Sequence, residues 1–134
     1  MPHIRLVERP WRRLKTNSSK RIVPLVGEAL WAVNRAAEST SNGFLFPKYC
    51  NEQKNKADSA SGALGKWLKP RVEQGQVVHS FRHTFRDRLR NAGCPFDIQE
   101  RLGGWSTPGV GNSYGQGYGL EVLHHWMSVL VVDR

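Results

Sequence analysis

Two helical patterns and a double-glycine break follow one another in residues 79–105, which read HSFRHTFRDRLRNAGCPFDIQERLGGW. This stretch constrains the fold more than any other. The apolar residues at four-residue steps are Phe81, Phe85 and Leu89. Because residues four apart lie on one face of a helix, these side chains are expected in the core. Ser80 is expected to cap this helix and Gly93 to end it.

A second, shorter helix is expected from Pro95 to Leu102, since proline is favoured at a first helical position. The pair Gly103-Gly104 should end it, because adjacent glycines let the backbone turn sharply. Trp105 then begins a new segment. That segment is expected to bring Tyr114 back towards the first helix.

His79 and Arg82 lie three residues apart, so their side chains can meet one ligand. Arg82 falls in the first helical turn, where unpaired backbone N–H groups and the helix dipole already favour an anion. Its planar guanidinium suits phosphate oxygens. The pattern therefore indicates a phosphate-binding pair.

The formal charge is +9, from 20 Lys and Arg against 11 Asp and Glu. Such an excess favours a polyanionic partner, because each neutralised phosphate releases counterions. Ribosomal proteins and proteins of membrane surfaces have similar charge, so composition alone leaves the kind of partner open.

One domain is expected at this length. Cys50 and Cys94 are too few for a disulfide framework, which fits a reducing compartment. No apolar run approaches the roughly 20 residues that span a bilayer, and no signal peptide is recognisable. We therefore expect a soluble cytoplasmic protein without a membrane partner.

A β-hairpin is expected near the beginning of the chain. Residues 3–15 and 20–25 contain short alternating stretches, and the polar turn Thr16–Ser19 separates them. Pro10 should interrupt the first strand. Together with the helices, the hairpin predicts a mainly α fold with a small N-terminal β-hairpin or sheet, of the α+β class.

Four further elements are expected between the hairpin and the central stretch. They are an amphipathic helix over Gly27–Ala37, a short buried strand or extended segment over Gly43–Pro47, a polar surface loop over Asn51–Ser61, and a helix over Ser61–Leu68 with Trp67 facing the core.

A last helix should follow the glycine-rich residues after Tyr114. Its apolar stripe consists of Leu123, Trp126, Met127 and Leu130. The stripe can pack on its own domain or on a neighbouring protomer, and the sequence leaves both alternatives open.

The motifs together resemble a known family. The H-x-x-R of His79 and Arg82, the L-G-G-W ending at Trp105, and Tyr114 nine residues later are similar to the C-terminal catalytic motifs of tyrosine recombinases, the phage integrase family. Histidine is commoner at the Trp105 position, but tryptophan also occurs there, and its indole N–H can donate a hydrogen bond. The resemblance implies the catalytic core of DNA breaking-rejoining enzymes.

The resemblance also implies the chemistry. Tyr114 would attack a DNA phosphodiester and form a 3′-phosphotyrosine link without a metal or another cofactor. Arg82 and Trp105 would hold the phosphate oxygens, and His79 would act as a base or hydrogen-bond donor. Lys15 best matches the hairpin lysine that protonates the departing 5′-oxygen.

Some neighbouring residues have other expected roles. Lys20 is the second choice for the general acid, and Tyr118 is the weaker choice for the nucleophile because its offset from the tryptophan differs.

Residues expected on the surface that binds double-stranded DNA are Arg86, Lys20 and His83. His83 is also expected to hydrogen-bond nearby backbone, and a zinc site with His79 is disfavoured because no third ligand is evident. Arg88 and Arg90 are expected on a solvated helix face.

The family pattern includes another essential arginine, on a helix upstream of the hairpin, and residues 1–14 contain no comparable pattern. We therefore expect residues 1–134 to form one partial catalytic domain, without that helix and without the usual N-terminal DNA-binding domain. It would be either a shortened form of a longer protein or the product of a broken bacterial prophage gene, and it would associate with the nucleoid. A non-catalytic DNA-binding module is the alternative function, and a type IB topoisomerase fits the L-G-G-W context less well.

Overall fold

The computed structural model describes residues 1–16, 19–40, 43–105 and 117–132. In those ranges the elements are strands β1 (His3–Leu6) and β2 (Arg21–Pro24) and helices α1 (Gly27–Glu38), α2 (Ala57–Leu68), α3 (Ser80–Asn91), α4 (Phe96–Gly103) and α5 (Leu120–Ser128). A 3₁₀ turn at Lys69–Arg71 continues α2. This confirms the predicted class, mainly α with a small two-stranded sheet.

The strands β1 and β2 are antiparallel, and their register pairs His3 with Pro24 and Leu6 with Arg21. Strand β1 ends at Leu6. Arg9 and Arg12 exchange two backbone hydrogen bonds of 3.0 and 2.9 Å around Pro10, so the chain turns there, in agreement with the predicted interruption at Pro10. Lys15 and Lys20 therefore lie in the connection between the strands.

The buried core lies among α3, α4 and α5. Its members are Leu89, Cys94, Ile98, Leu102 and Leu123, with Phe85, Trp126, Met127 and Leu130 packed around them. The apolar stripe of α5 therefore packs on its own domain. Helix α5 also contacts β2, which ties the sheet to this core.

Two aromatic residues predicted in the core are exposed instead. Phe81 is 63% exposed and Trp67 is 58% exposed. Phe81 lies in the first turn of α3, whereas the core covers this helix from Phe85 to Leu89. The guanidinium of Arg71 covers one face of Trp67, with Cζ 4.5 Å from the ring centroid.

The segment between α1 and α2 also differs from expectation. Residues 43–47 form bends and turns instead of a strand, and Phe46 is 58% exposed. The predicted polar loop is shorter, because α2 begins at Ala57. The side chain of Asn51 accepts backbone hydrogen bonds from Gln53 and Lys54, and this local turn ends the loop before the helix.

The boundaries of α3 and α4 follow the prediction to within one or two residues. Ser80 is the first residue of α3 instead of its cap, and its hydroxyl accepts a hydrogen bond from Val77 N–H. Gly93 follows α3 with a φ of +75°, as expected for a helix stop. Helix α4 begins one residue after Pro95 and includes Gly103. Within the described residues, no helix is long and apolar enough to cross a membrane.

Candidate functional site

The two glycines after Leu102 have different physical tasks. A Cβ atom on Gly103 would lie 1.9 Å from the Trp105 ring, so the indole can fold back over α4 only because this residue has no side chain. Gly104 caps α4 in the left-handed region with φ +64°, and a Cβ there would lie 2.4 Å from Arg21 Nη1. The double glycine thus allows an indole and a guanidinium to approach the end of α4.

Two arginines of α3 contact the ring of Trp105. The Cζ atoms of Arg82 and Arg86 lie 4.6 and 4.9 Å from the Trp105 ring centroid. The ring of Phe85 lies 6.2 Å from it. Cations over an indole face are attracted by the ring quadrupole, so the indole orients both guanidinium groups. The structure therefore brings together Arg82 and Trp105, two of the residues expected in the site.

Arg86 lies next to this pair but points into the protein. Its Nη2 donates to Glu100 Oε1 over 3.2 Å, and the carboxylate side chain is 0% exposed. A buried carboxylate needs such a partner, because desolvation of an unpaired charge is costly. This internal contact was not expected from the sequence.

His79 directly precedes α3, where Arg82 N–H donates to its carbonyl over 3.0 Å. Its ring lies 5.4 Å from that of His83 in an edge-on arrangement. Both histidines are exposed. The His83 ring contacts this neighbour, and within the described residues it makes no hydrogen bond to backbone, contrary to the expectation.

Lys15 and Lys20 line the same cavity, of about 590 Å³, together with Glu8. Lys20 also lines a second cavity beside it that contains Arg21. The carbonyl of Thr16 accepts a hydrogen bond from Ser19 N–H over 3.0 Å, as the predicted turn requires. The hairpin connection therefore presents both candidate lysines to adjoining concave surfaces.

Arg21 connects the hairpin to the glycine pair, and sequence reasoning missed it. Its Nε donates to Leu102 O over 3.1 Å and its Nη1 to Ser19 O over 3.0 Å. Burial lowers the pKa of Arg21, and the positive charges of Arg82 and Arg101 lower it further. Cations thus extend from Lys20 through Arg21 to Arg82. The place of Arg21 in this row depends on its hydrogen bond to Leu102, which lies 81 positions away in the sequence. No local spacing pattern could therefore have predicted it.

Arg88 and Arg90 are both exposed, as expected. Arg88 also donates a hydrogen bond to the carbonyl of Leu130, which ties α3 to the end of α5. Arg90 forms a salt bridge of 3.1 Å with Asp87 on the helix surface.

Tyr114 lies outside the described residues. Tyr118 lies within them, and its hydroxyl donates a hydrogen bond to Asp97. This hydrogen bond raises the pKa of Tyr118, and burial and the carboxylate charge raise it further. A raised pKa is unfavourable for a nucleophile, which must lose its proton.

The titratable side chains of the described residues include no group of three or more His, Cys, Asp or Glu placed to hold a metal ion. The side chains of Arg82 and of the hairpin lysines carry positive charge, and the indole of Trp105 carries an N–H donor, so each could contact an anion. A phosphate can be held in this way by side chains alone.

A comparison with protein families matches residues 2–118 to the model described as "Phage integrase family". A search of curated proteins found no match. A search of solved structures found none either.

Proposed function

The chain belongs to the phage integrase family, and from this premise we propose that it breaks and rejoins DNA through a covalent link to Tyr114. The family acts in site-specific DNA recombination and binds DNA. The observation that best supports a catalytic site is the position of Arg82 against Trp105, because that pair presents a fork of donors beside an indole.

In the proposed cleavage, the Tyr114 oxygen bonds to the phosphorus as the bond between phosphorus and the 5′-oxygen breaks. His79 accepts the phenolic proton or donates a hydrogen bond to the phosphate. Lys15 gives a proton to the 5′-oxygen, so a neutral hydroxyl leaves. Rejoining reverses these steps with a 5′-hydroxyl as the attacking group, and the phosphotyrosine conserves the phosphoester bond.

Charge is the main obstacle in this reaction, since the transition state spreads negative charge over the non-bridging oxygens. Arg82 contributes two parallel N–H donors, and Trp105 contributes its indole N–H. The indole also limits the freedom of the guanidinium, which reduces the entropy lost when phosphate binds. In this proposal Lys20 and His83 contact neighbouring DNA, while Arg86 supports the surface through Glu100.

Tyr114 is preferred to Tyr118 as the nucleophile for two reasons. Its nine-residue offset from Trp105 matches the family pattern. The hydroxyl of Tyr118 is held by Asp97, and that contact raises its pKa. We therefore assign attack to Tyr114 alone.

A neighbouring protomer is a further proposed partner. The stripe of α5 is occupied by its own core, but apolar residues elsewhere on α5 and just beyond it remain exposed. They are Val122, Val129, Val131 and Val132, which are 41%, 48%, 42% and 69% exposed. Apolar surface at the end of the described chain suits a contact between recombinase subunits.

A second candidate function is DNA binding without turnover. Residues 1–16 form a strand and turns but no helix, so they supply no counterpart of the helical arginine that the family resemblance implies. Loss of one preorganised donor costs about a hundredfold or more in rate. This observation favours binding by residues 1–134 with weak cleavage.

The deciding experiment traps a covalent adduct on nicked duplex DNA with a randomised sequence beside the nick. The unmodified chain is compared with Tyr114→Phe and Tyr118→Phe on denaturing gels. Only Tyr114→Phe should abolish the adduct. An adduct that survives this change but not Tyr118→Phe would reverse the assignment, and DNA binding without any adduct would support the second candidate.

A further inference from the structure

A small cavity of about 330 Å³ lies between the sheet and α4, beside the proposed catalytic site. Of the described residues that line it, four have cationic side chains and the others are apolar. The cations are Arg5 of β1, Lys20 and Arg21 at the start of β2, and Arg101 of α4. Three separate segments of the chain therefore direct positive charge at one concave surface.

No carboxylate side chain is among the described residues that line this cavity. Within the described ranges the salt bridges are Arg86 with Glu100 and Arg90 with Asp87, so none of the four cations is paired there. Like charges held close together repel each other, and a protein normally intersperses acids among them. Burial lowers the pKa of Arg21, and the positive charges of Arg82 and of Arg101, which lines the same cavity, lower it further.

Arg21 is held in place before any ligand arrives. Its hydrogen bonds to Leu102 O and Ser19 O fix Nε and Nη1, while Gly104 allows its close approach to the end of α4. A guanidinium fixed in this way loses little freedom on binding. Arg5 and Arg101 are exposed and can close on an anion from the two sides.

We propose that this cavity is a second phosphate-binding site, which holds a backbone phosphodiester of DNA next to the phosphate at Arg82. The inference rests on the proposed function, since it concerns the same bound DNA. One anion there would neutralise repulsion among four cations. It would also fix the hairpin, and with it Lys15, relative to Trp105 and the scissile phosphate.

The test measures the affinity for a short duplex DNA at several salt concentrations by fluorescence anisotropy. Arg101→Gln and Arg5→Gln each remove one cation from the cavity, and neither residue belongs to the proposed catalytic set. The control is Lys66→Gln, an exposed lysine of α2 that lines none of the cavities described here. In each variant the cation is replaced by a shorter, neutral and polar amide side chain.

Each cavity variant should reduce the slope of log affinity against log salt by about 0.9. If the plots of the variant and of the unmodified chain meet near 1 M salt, this smaller slope corresponds to about eightfold weaker DNA binding at 0.1 M salt. Lys66→Gln should leave the slope unchanged. An unchanged slope in both cavity variants, or an equal decrease in the control, would overturn the second site while leaving the proposed function intact. Failure of the unmodified chain to bind DNA would instead overturn both.

Discussion

The guanidinium of Arg82 lies 4.6 Å from the centroid of the Trp105 ring, and Arg86 contacts the same ring at 4.9 Å. The indole ring thus contacts two cations that would otherwise repel each other. Arg86 is neutralised by Glu100, whereas Arg82 has no carboxylate partner in the described part of the chain. The arrangement separates a structural arginine from one that is available for an external anion.

Replacing Arg82 with lysine should weaken adduct formation on nicked DNA about a hundredfold, because an ammonium group cannot supply the bidentate fork. Thermal stability should change little, since the side chain makes no ion pair among the described residues. Arg90→Lys, at an exposed residue of the same helix, is the matched control. Equal adduct yields from both variants would remove Arg82 from the mechanism.

Gly103→Ala should displace the Trp105 indole, because the new Cβ would lie 1.9 Å from the ring. The expected result is a loss of about 2 kcal/mol of stability, typical of overpacking, together with reduced DNA cleavage. Gly62→Ala in α2 is a close control, since a Cβ there meets nothing within 4 Å. It should stabilise the chain by up to about 1 kcal/mol through helix propensity. Thermal unfolding of both variants measures the difference, and similar shifts would contradict the packing argument.

Much of this arrangement could be predicted from local patterns, because periodicity and capping act over a few residues. The apolar residues at four-residue steps predicted the position of α3. Gly93 and the pair Gly103-Gly104 predicted where α3 and α4 end. The burial of Leu89 followed from the same steps. The exposure of Phe81 did not, since the extent of a core face depends on which elements pack against it.

Long-range contacts explain what the sequence could not reveal. The bond from Arg21 to Leu102 O joins residues 81 positions apart, and no spacing rule anticipates it. The pairing of Arg86 with Glu100 depends on the angle between α3 and α4. The roles of His79 and Lys15 remain predictions, as does that of Tyr114, which lies outside the described residues.

The two cysteines should differ strongly in reactivity. Cys94 is 5% exposed, and burial together with the charge of Asp97 raises its pKa from 9.0 to about 11. Because the thiolate is the reactive form, Cys50 should react with Ellman's reagent at pH 8 long before Cys94 does. Cys50→Ser should therefore remove the fast phase. A fast phase that persists would show that Cys94 is accessible in the native protein.

The same thiol gives a pH dependence of stability. The pKa of the Cys94 thiol is higher in the folded protein than in the unfolded chain, so folding favours the neutral thiol. This contribution is fully present below pH 9 and is lost as the pH rises towards about 11. Cys94→Ala should reduce the fall in melting temperature between those two pH values. An identical fall in both proteins would show that other groups control it.

Glu100→Gln should destabilise the protein far more than Asp87→Asn, although both changes remove one salt bridge from an arginine of α3. The Glu100 side chain is 0% exposed, whereas the side chains of Asp87 and Arg90 are 62% and 59% exposed. Loss of the buried carboxylate leaves Arg86 without its counter-ion, at an expected cost of about 2 to 3 kcal/mol. Loss of the exposed pair should cost at most about 0.5 kcal/mol, because water screens it.

Urea unfolding of the two variants at pH 7 compares the costs directly. If the Arg86 guanidinium then turns outward to water, Glu100→Gln would cost no more than Asp87→Asn, and Arg86 would be a mobile DNA-facing residue instead of a fixed support for Trp105.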